Sequence, residues 1–181
     1  MVGLVVALFA LLAGPAAGTV VDSGHYSGTD SFSFDDCGFT LNGESTFSGQ
    51  FRIRADKDGE AFYARDTFSF REVLTNADTE EWFVVRGHGV FNEIKATLVS
   101  GTIYEFEAVE AGQPFVIEDS TGRVIVRDRG VIRHGALFDT LGDGVPGAVF
   151  LEPTFDLVHG PHPGFAEDFP FCEIAAELTG A

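Results

Sequence analysis

Four polar side chains fall where strand periodicity calls for apolar ones. Asp66 shares its alternation with Phe62, Ala64, Phe68 and Phe70. His134 shares its own with Ile132, Ala136 and Phe138, while Arg86 and His88 keep step with Trp82, Val84 and Val90. Were all these faces turned into one interior, a carboxylate, a guanidinium and two imidazoles would meet there. A charge buried without a partner is strongly disfavoured, so Asp66 is expected to face a cation, or water in a wet cavity. Two readings follow. In the structural one the four form a salt-bridged plug, or a β-bulge turns one of them outward. In the functional one Asp66, Arg86, His88 and His134 line a ligand pocket, with Asp66 and either His88 or His134 as the acid and base candidates of a catalytic site.

Three other groups carry the right residue types for chemistry. Glu105 and Glu107 stand two apart on one strand face, a separation of roughly 6–7 Å that a glycosidase pair could use. The alternative is a solvated outer face with arginine neighbours. Asp139-Thr-Leu-Gly-Asp143-Gly is acidic and glycine-rich, which suits calcium, yet it lacks the alternating ligands of an EF-hand and reads equally as a plain turn. His159 and His162 lie three residues apart, acceptable to zinc or copper only with further ligands that the sequence does not supply. The prolines flanking His162 suggest a rigid extended loop instead. No G-x-S-x-G, H-E-x-x-H, Walker or G-x-G-x-x-G motif occurs, so the standard hydrolase, zinc-protease and nucleotide-binding chemistries gain no support. No cofactor is expected.

The elements that position these residues are strands. Period-two alternation recurs in Ser31–Phe34, Phe47–Arg54, Phe62–Phe70 and Trp82–Phe91, and again in 97–111, 114–117, 123–126, 130–139 and 149–158. Lys57-Asp-Gly59, Asn76–Thr79 and Asp119-Ser-Thr-Gly122 supply turns between them. Residues 172–178 are helix formers, enough for a short terminal helix. About eight to nine sequential antiparallel strands, each with one apolar face, close into a single barrel or stack as a β-sandwich. Glycines inside strands (Gly87, Gly89, Gly130, Gly135) favour the barrel, where they would sit at sharp bends.

The first 21 residues carry no charge, and residues 2–13 form an apolar run that Gly14-Pro15 ends before small residues Ala16-Ala17-Gly18. This reads as a signal peptide over residues 1–18, leaving residues 19–181 as one antiparallel β domain that is secreted and extracellular, with no membrane anchor after cleavage. In an exported chain the two cysteines, Cys37 and Cys172, read as one disulfide. A net charge of −17 repels nucleic acid and anionic membrane surfaces alike. Nineteen Phe against one Trp and three Tyr put the aromatic mass inside rather than on a carbohydrate-binding surface.

The leader, Asp36-Cys-Gly-Phe39, the Thr121–Gly130 hairpin and the terminal Phe169-Pro-Phe-Cys172 together resemble a group of small secreted bacterial β-proteins, a resemblance that implies no activity. In size and layout the chain is also similar to the small barrels of dirigent proteins, allene oxide cyclases and lipocalins, by architecture alone. The expected function is a secreted, acidic, non-enzymatic binding protein for a small apolar ligand or an extracellular protein partner, as a monomer or small homo-oligomer. The alternative is a cofactor-free isomerase or cyclase working on an apolar substrate inside the barrel.

Overall fold

A computed structural model describes residues 18–181; the signal peptide expected over residues 1–18 falls, but for Gly18, outside the described residues. Eight strands are present among these residues: β1 (Val20–Phe34), β2 (Leu41–Ala55), β3 (Phe62–Asn76), β4 (Trp82–Ser100), β5 (Ile103–Glu118), β6 (Val124–Arg127), β7 (Gly130–Asp139) and β8 (Val149–His159). A 3₁₀ turn (Pro163–Phe165) and one α-helix, α1 (Phe171–Thr179), complete the chain. All strands join one antiparallel sheet in the order β1-β2-β3-β4-β5-β7-β8, with β6 on the far part of β5. No ladder joins β8 back to β1 among the described residues. The sheet is therefore open, where a closed barrel was expected, and it is single, where the alternative required two.

Register explains the unusual abundance of Gly and Phe. Along the β1–β2 ladder Gly24 faces Phe51, Tyr26 faces Gly49, Gly28 faces Phe47 and Phe32 faces Gly43. Each aromatic ring lies over the glycine opposite, so that a Cβ there would come within 2.2–2.8 Å of ring atoms. The pattern returns where Phe70 faces Gly87 and Phe68 faces Gly89. These glycines are seats for cross-strand aromatic rings, the arrangement known to rescue glycine in strands, rather than the bends of a barrel wall.

Both apolar clusters lie on the face these rings share. In the first, Leu41, Leu74, Phe83, Val85 and Ile117 pack beneath Ala175 of α1. A nine-residue helix is too short to stand alone in water. Here Phe171, Ala175 and Leu178 form one stripe against the sheet. Phe171 meets Phe34 and Phe83 with ring centroids 6.4 and 6.1 Å apart, and Thr179 ties the helix end to Asn76 and Thr79. The Cys37–Cys172 disulfide, expected from the cysteine count, fastens the start of α1 to the β1–β2 connection. The second cluster, Ala61, Tyr104 and Phe106 with Ala96 and Phe138, occupies the opposite end of the same face.

Element boundaries depart from the sequence reading over residues 97–117, where 103–111 and the separately expected 114–117 form one continuous strand, β5. Residues 97–111 are not a single strand, because Gly101 turns the chain at φ +54° and splits them between β4 and β5.

Candidate functional site

The sheet does not stay zipped along its whole length. The β3–β4 ladder runs from Thr75↔Trp82 to Arg65↔Asn92 and stops there. Beyond it β3 continues to Phe62 paired with β2 alone, and β4 continues to Ser100 paired with β5 alone. Register shifts at Glu93/Lys95 and Leu98/Ser100 turn β4 further from its former neighbour, as bulges do. At the fork the Ala64 N–H, which would otherwise continue the ladder, donates to the Glu93 side chain. Glu93 thus caps the ladder and stands at the apex of the gap between the two strands.

Cavities open on both sides of that apex. One, of about 230 Å³, is walled by Ile53, Phe62, Ala64, Phe106 and Phe138, with Glu93 as the one ionisable group among the described residues of its lining. The other, about 560 Å³, is a wider groove bordered by Tyr63, Ala96 and Leu98 and by the charged turn Arg54–Glu60, again with Glu93 in its wall. Burial holds the Glu93 carboxyl above the usual carboxylate range, and the Ala64 N–H pulls partly the other way. Tyr104 reaches from the second core cluster to the groove, where its hydroxyl donates to Glu60 at 3.0 Å. Burial first, then Glu60, Asp56 and Asp58, raise that phenol above its ordinary value, which marks the groove as electronegative.

Comparison of the chain with protein-family models, curated sequences and solved structures returned no match.

The four residues singled out from periodicity do not converge. Asp66 and His134 are on the face that carries the core, whereas Arg86 and His88 point to the other face, as their registers with Arg71 and Ser69 require. Arg86 forms a two-nitrogen ion pair with Glu118, at 3.0 and 2.6 Å, which raises the arginine and lowers the glutamate from their ordinary values. His88 is exposed opposite Ser69 and Gln113. Among the described residues Asp66 faces no cation. Its Oδ2 accepts the Tyr26 hydroxyl at 2.7 Å, and its buried Oδ1 has no partner among the described residues. His134 holds Asp156 at 2.6 Å and approaches Glu110 at 3.8 Å. Asp66 and His134 are therefore engaged elsewhere and not with each other.

The remaining candidates resolve as local structure. Glu107 accepts Lys95 and Arg133, the latter at 2.8 Å, on the outer face it shares with Glu105. Asp139 and Asp143 each accept the N–H two residues on, from Leu141 and Val145, as turn-forming aspartates do. His159 is exposed and His162 is buried beside Asp128, with Nδ1 4.0 Å from Oδ2. Among the described residues no three His, Cys, Asp or Glu side chains gather as a metal site would need. No helix among them is long and apolar enough to cross a membrane.

Sequence reasoning missed Glu93. It has the parity of Gly87, Gly89 and Phe91, the true inner face of β4. Continuing that alternation two residues past Phe91 would have exposed a carboxylate on a core face.

Proposed function

We propose that this is a secreted, acidic, non-enzymatic binding protein, and that it takes a small apolar ligand into the fork between β3 and β4. The observation that carries the reading is the 230 Å³ cavity whose apolar walls include, among the described residues, a single ionisable group, Glu93. Ligand sites typically combine apolar walls with a few placed polar groups, and their usual volumes begin near about 300 Å³. A compact molecule, or one end of a longer one, suits the space. In place of the closed lumen expected of a barrel, the ligand enters an open antiparallel sheet where two of its interior strands part.

The test is a titration with n-octanol followed by amide chemical shifts. Shifts should concentrate on Ile53, Ala64, Phe106 and Phe138. Ala64→Leu, which fills the cavity from its own wall, should weaken binding by about tenfold or more, the equivalent of losing one well-packed apolar contact. Shifts scattered over the exposed edge strands, or binding indifferent to Ala64→Leu, would overturn the proposal.

A further inference from the structure

We infer that the fork selects an amphiphilic cation, an apolar chain bearing a protonated amine, with Glu93 as the group that reads its head. The inference rests on the ligand-binding reading above and specifies the ligand's chemistry. Three observations carry it. First, Glu93 belongs to the walls of both cavities, so a chain lying in the apolar one brings its head to the carboxylate and, past it, to the groove. Second, the only hydrogen bond to the Glu93 carboxylate among the described residues comes from the Ala64 N–H, to Oε2, which leaves Oε1 as an acceptor without a cation beside it. Third, the groove beyond has an acidic excess. Asp56, Asp58, Glu60 and Glu93 stand against Arg54 and Lys57 in its lining, and Lys57 is spread toward solvent beside Asp58 at 3.8 Å.

Physical chemistry favours a cation over the alternatives. An apolar surrounding makes the ionised carboxylate costly, and an ammonium placed against it restores much of that loss while donating a charge-assisted hydrogen bond. A neutral alcohol can donate one ordinary hydrogen bond and returns less. A carboxylate head would set two anions together at the apex, in a groove already negative.

Three ligands with one chain and different heads provide the test: n-octylamine, n-octanol and octanoate, each titrated into the intact protein and into Glu93→Gln. The amide of Glu93→Gln keeps an acceptor for the Ala64 N–H, so the fork is retained. Asp30→Asn, at the other end of the β1–β2 ladder, removes the same unit of charge without touching the site and controls for general attraction by an acidic protein. Octylamine should bind at least about tenfold more tightly than octanol, and octanoate weakest. Glu93→Gln should abolish the advantage of the amine over the alcohol, and Asp30→Asn should leave the order intact. Equal binding of amine and alcohol, or an amine preference lost equally in Asp30→Asn, would overturn the inference and leave the apolar-ligand reading standing. Failure of all three to shift the fork amides would overturn both.

Discussion

Replacing both cysteines by serine should remove about 5 kcal/mol of stability, because the bridge closes almost the whole folded chain on itself. Cys37 and Cys172 are 135 residues apart. A loop of that length loses roughly 17 cal/mol/K of denatured-state entropy on closure, which is about 5 kcal/mol at 25 °C. The native state should survive the loss. Helix α1 remains anchored by Phe171 on Phe34 and Phe83, by the buried Ala175, and by the bonds of Thr179 to Asn76 and Thr79. The assay is urea unfolding of the wild type and of Cys37→Ser/Cys172→Ser, read from Trp82. That residue is the only tryptophan and the neighbour of Phe83, on which the helix rests. Two changes should come together: an earlier midpoint, and a steeper dependence on urea, since the open denatured chain exposes more surface. A loss under about 1 kcal/mol with an unchanged slope would refute the loop-entropy reasoning. A wild-type-like slope with a large loss would instead locate the effect in the native state, at the helix.

Burial and the bond to Asp66 push the Tyr26 phenol up to about 12. Because its folded value lies above the ordinary value of about 10, the stability it contributes is complete below pH 10 and lost as pH rises toward 12. Phenolate absorbance should lose its latest-titrating component in Tyr26→Phe; a titration whose late component is untouched by that substitution would contradict the contact. The glycine seats should differ in their tolerance of a methyl group. At Gly87 a Cβ would lie 2.2 Å from the Pro114 carbonyl and 2.4 Å from the Phe70 ring, so Gly87→Ala should cost about 1–3 kcal/mol, as overpacking does. At Gly28 the obstacle is the far end of the half-exposed Phe47 ring, which can swing aside, and thermal melts of Gly28→Ala should show a smaller loss. Equal losses at the two positions would mean that ring seating does not govern these glycines.

Strand identity was legible because period two is a local property. The alternations around residues 31–34, 47–54, 62–70, 82–91 and 130–139 each lie within an observed strand. What local pattern could not reveal is set by pairing. The turn at Gly101 interrupts a smooth alternation, and it is fixed from a distance: the Thr140 N–H and hydroxyl both donate to the Thr102 carbonyl, at 2.9 and 3.1 Å. The inward face of β4 could not be chosen locally either, since Phe83, Val84 and Val85 are all buried and either parity looks apolar. That ambiguity placed Arg86 and His88 inside, when the opposite parity, ending on Glu93, carries the fork. Closure is also outside what alternation encodes. A strand reads the same whether or not its outer edge finds a partner.

Register, by contrast, was written in the sequence in a form that only pairing makes readable. Gly24-x-Tyr26-x-Gly28 on β1 meets Phe47-x-Gly49-x-Phe51 on β2 in reverse order, ring against glycine at every step. A slip of one residue would carry the rings to the other face, as any one-residue slip does. A slip of two would keep the face but set ring against ring and glycine against glycine, crowding one position and emptying the next. Alternation alone penalises the first error and ignores the second. The glycine–aromatic complement penalises both, and it does so along the exposed β1–β2 hairpin, where burial supplies little guidance. The same logic continues through Phe68 and Phe70 over Gly89 and Gly87, and it fixes β3 against β4 up to the point where the ladder ends at Asn92. The fork is thus positioned by residues that never touch it. The rings set the register, the register brings Ala64 opposite Glu93, and the carboxylate at that position takes the hydrogen bond with which the ladder ends.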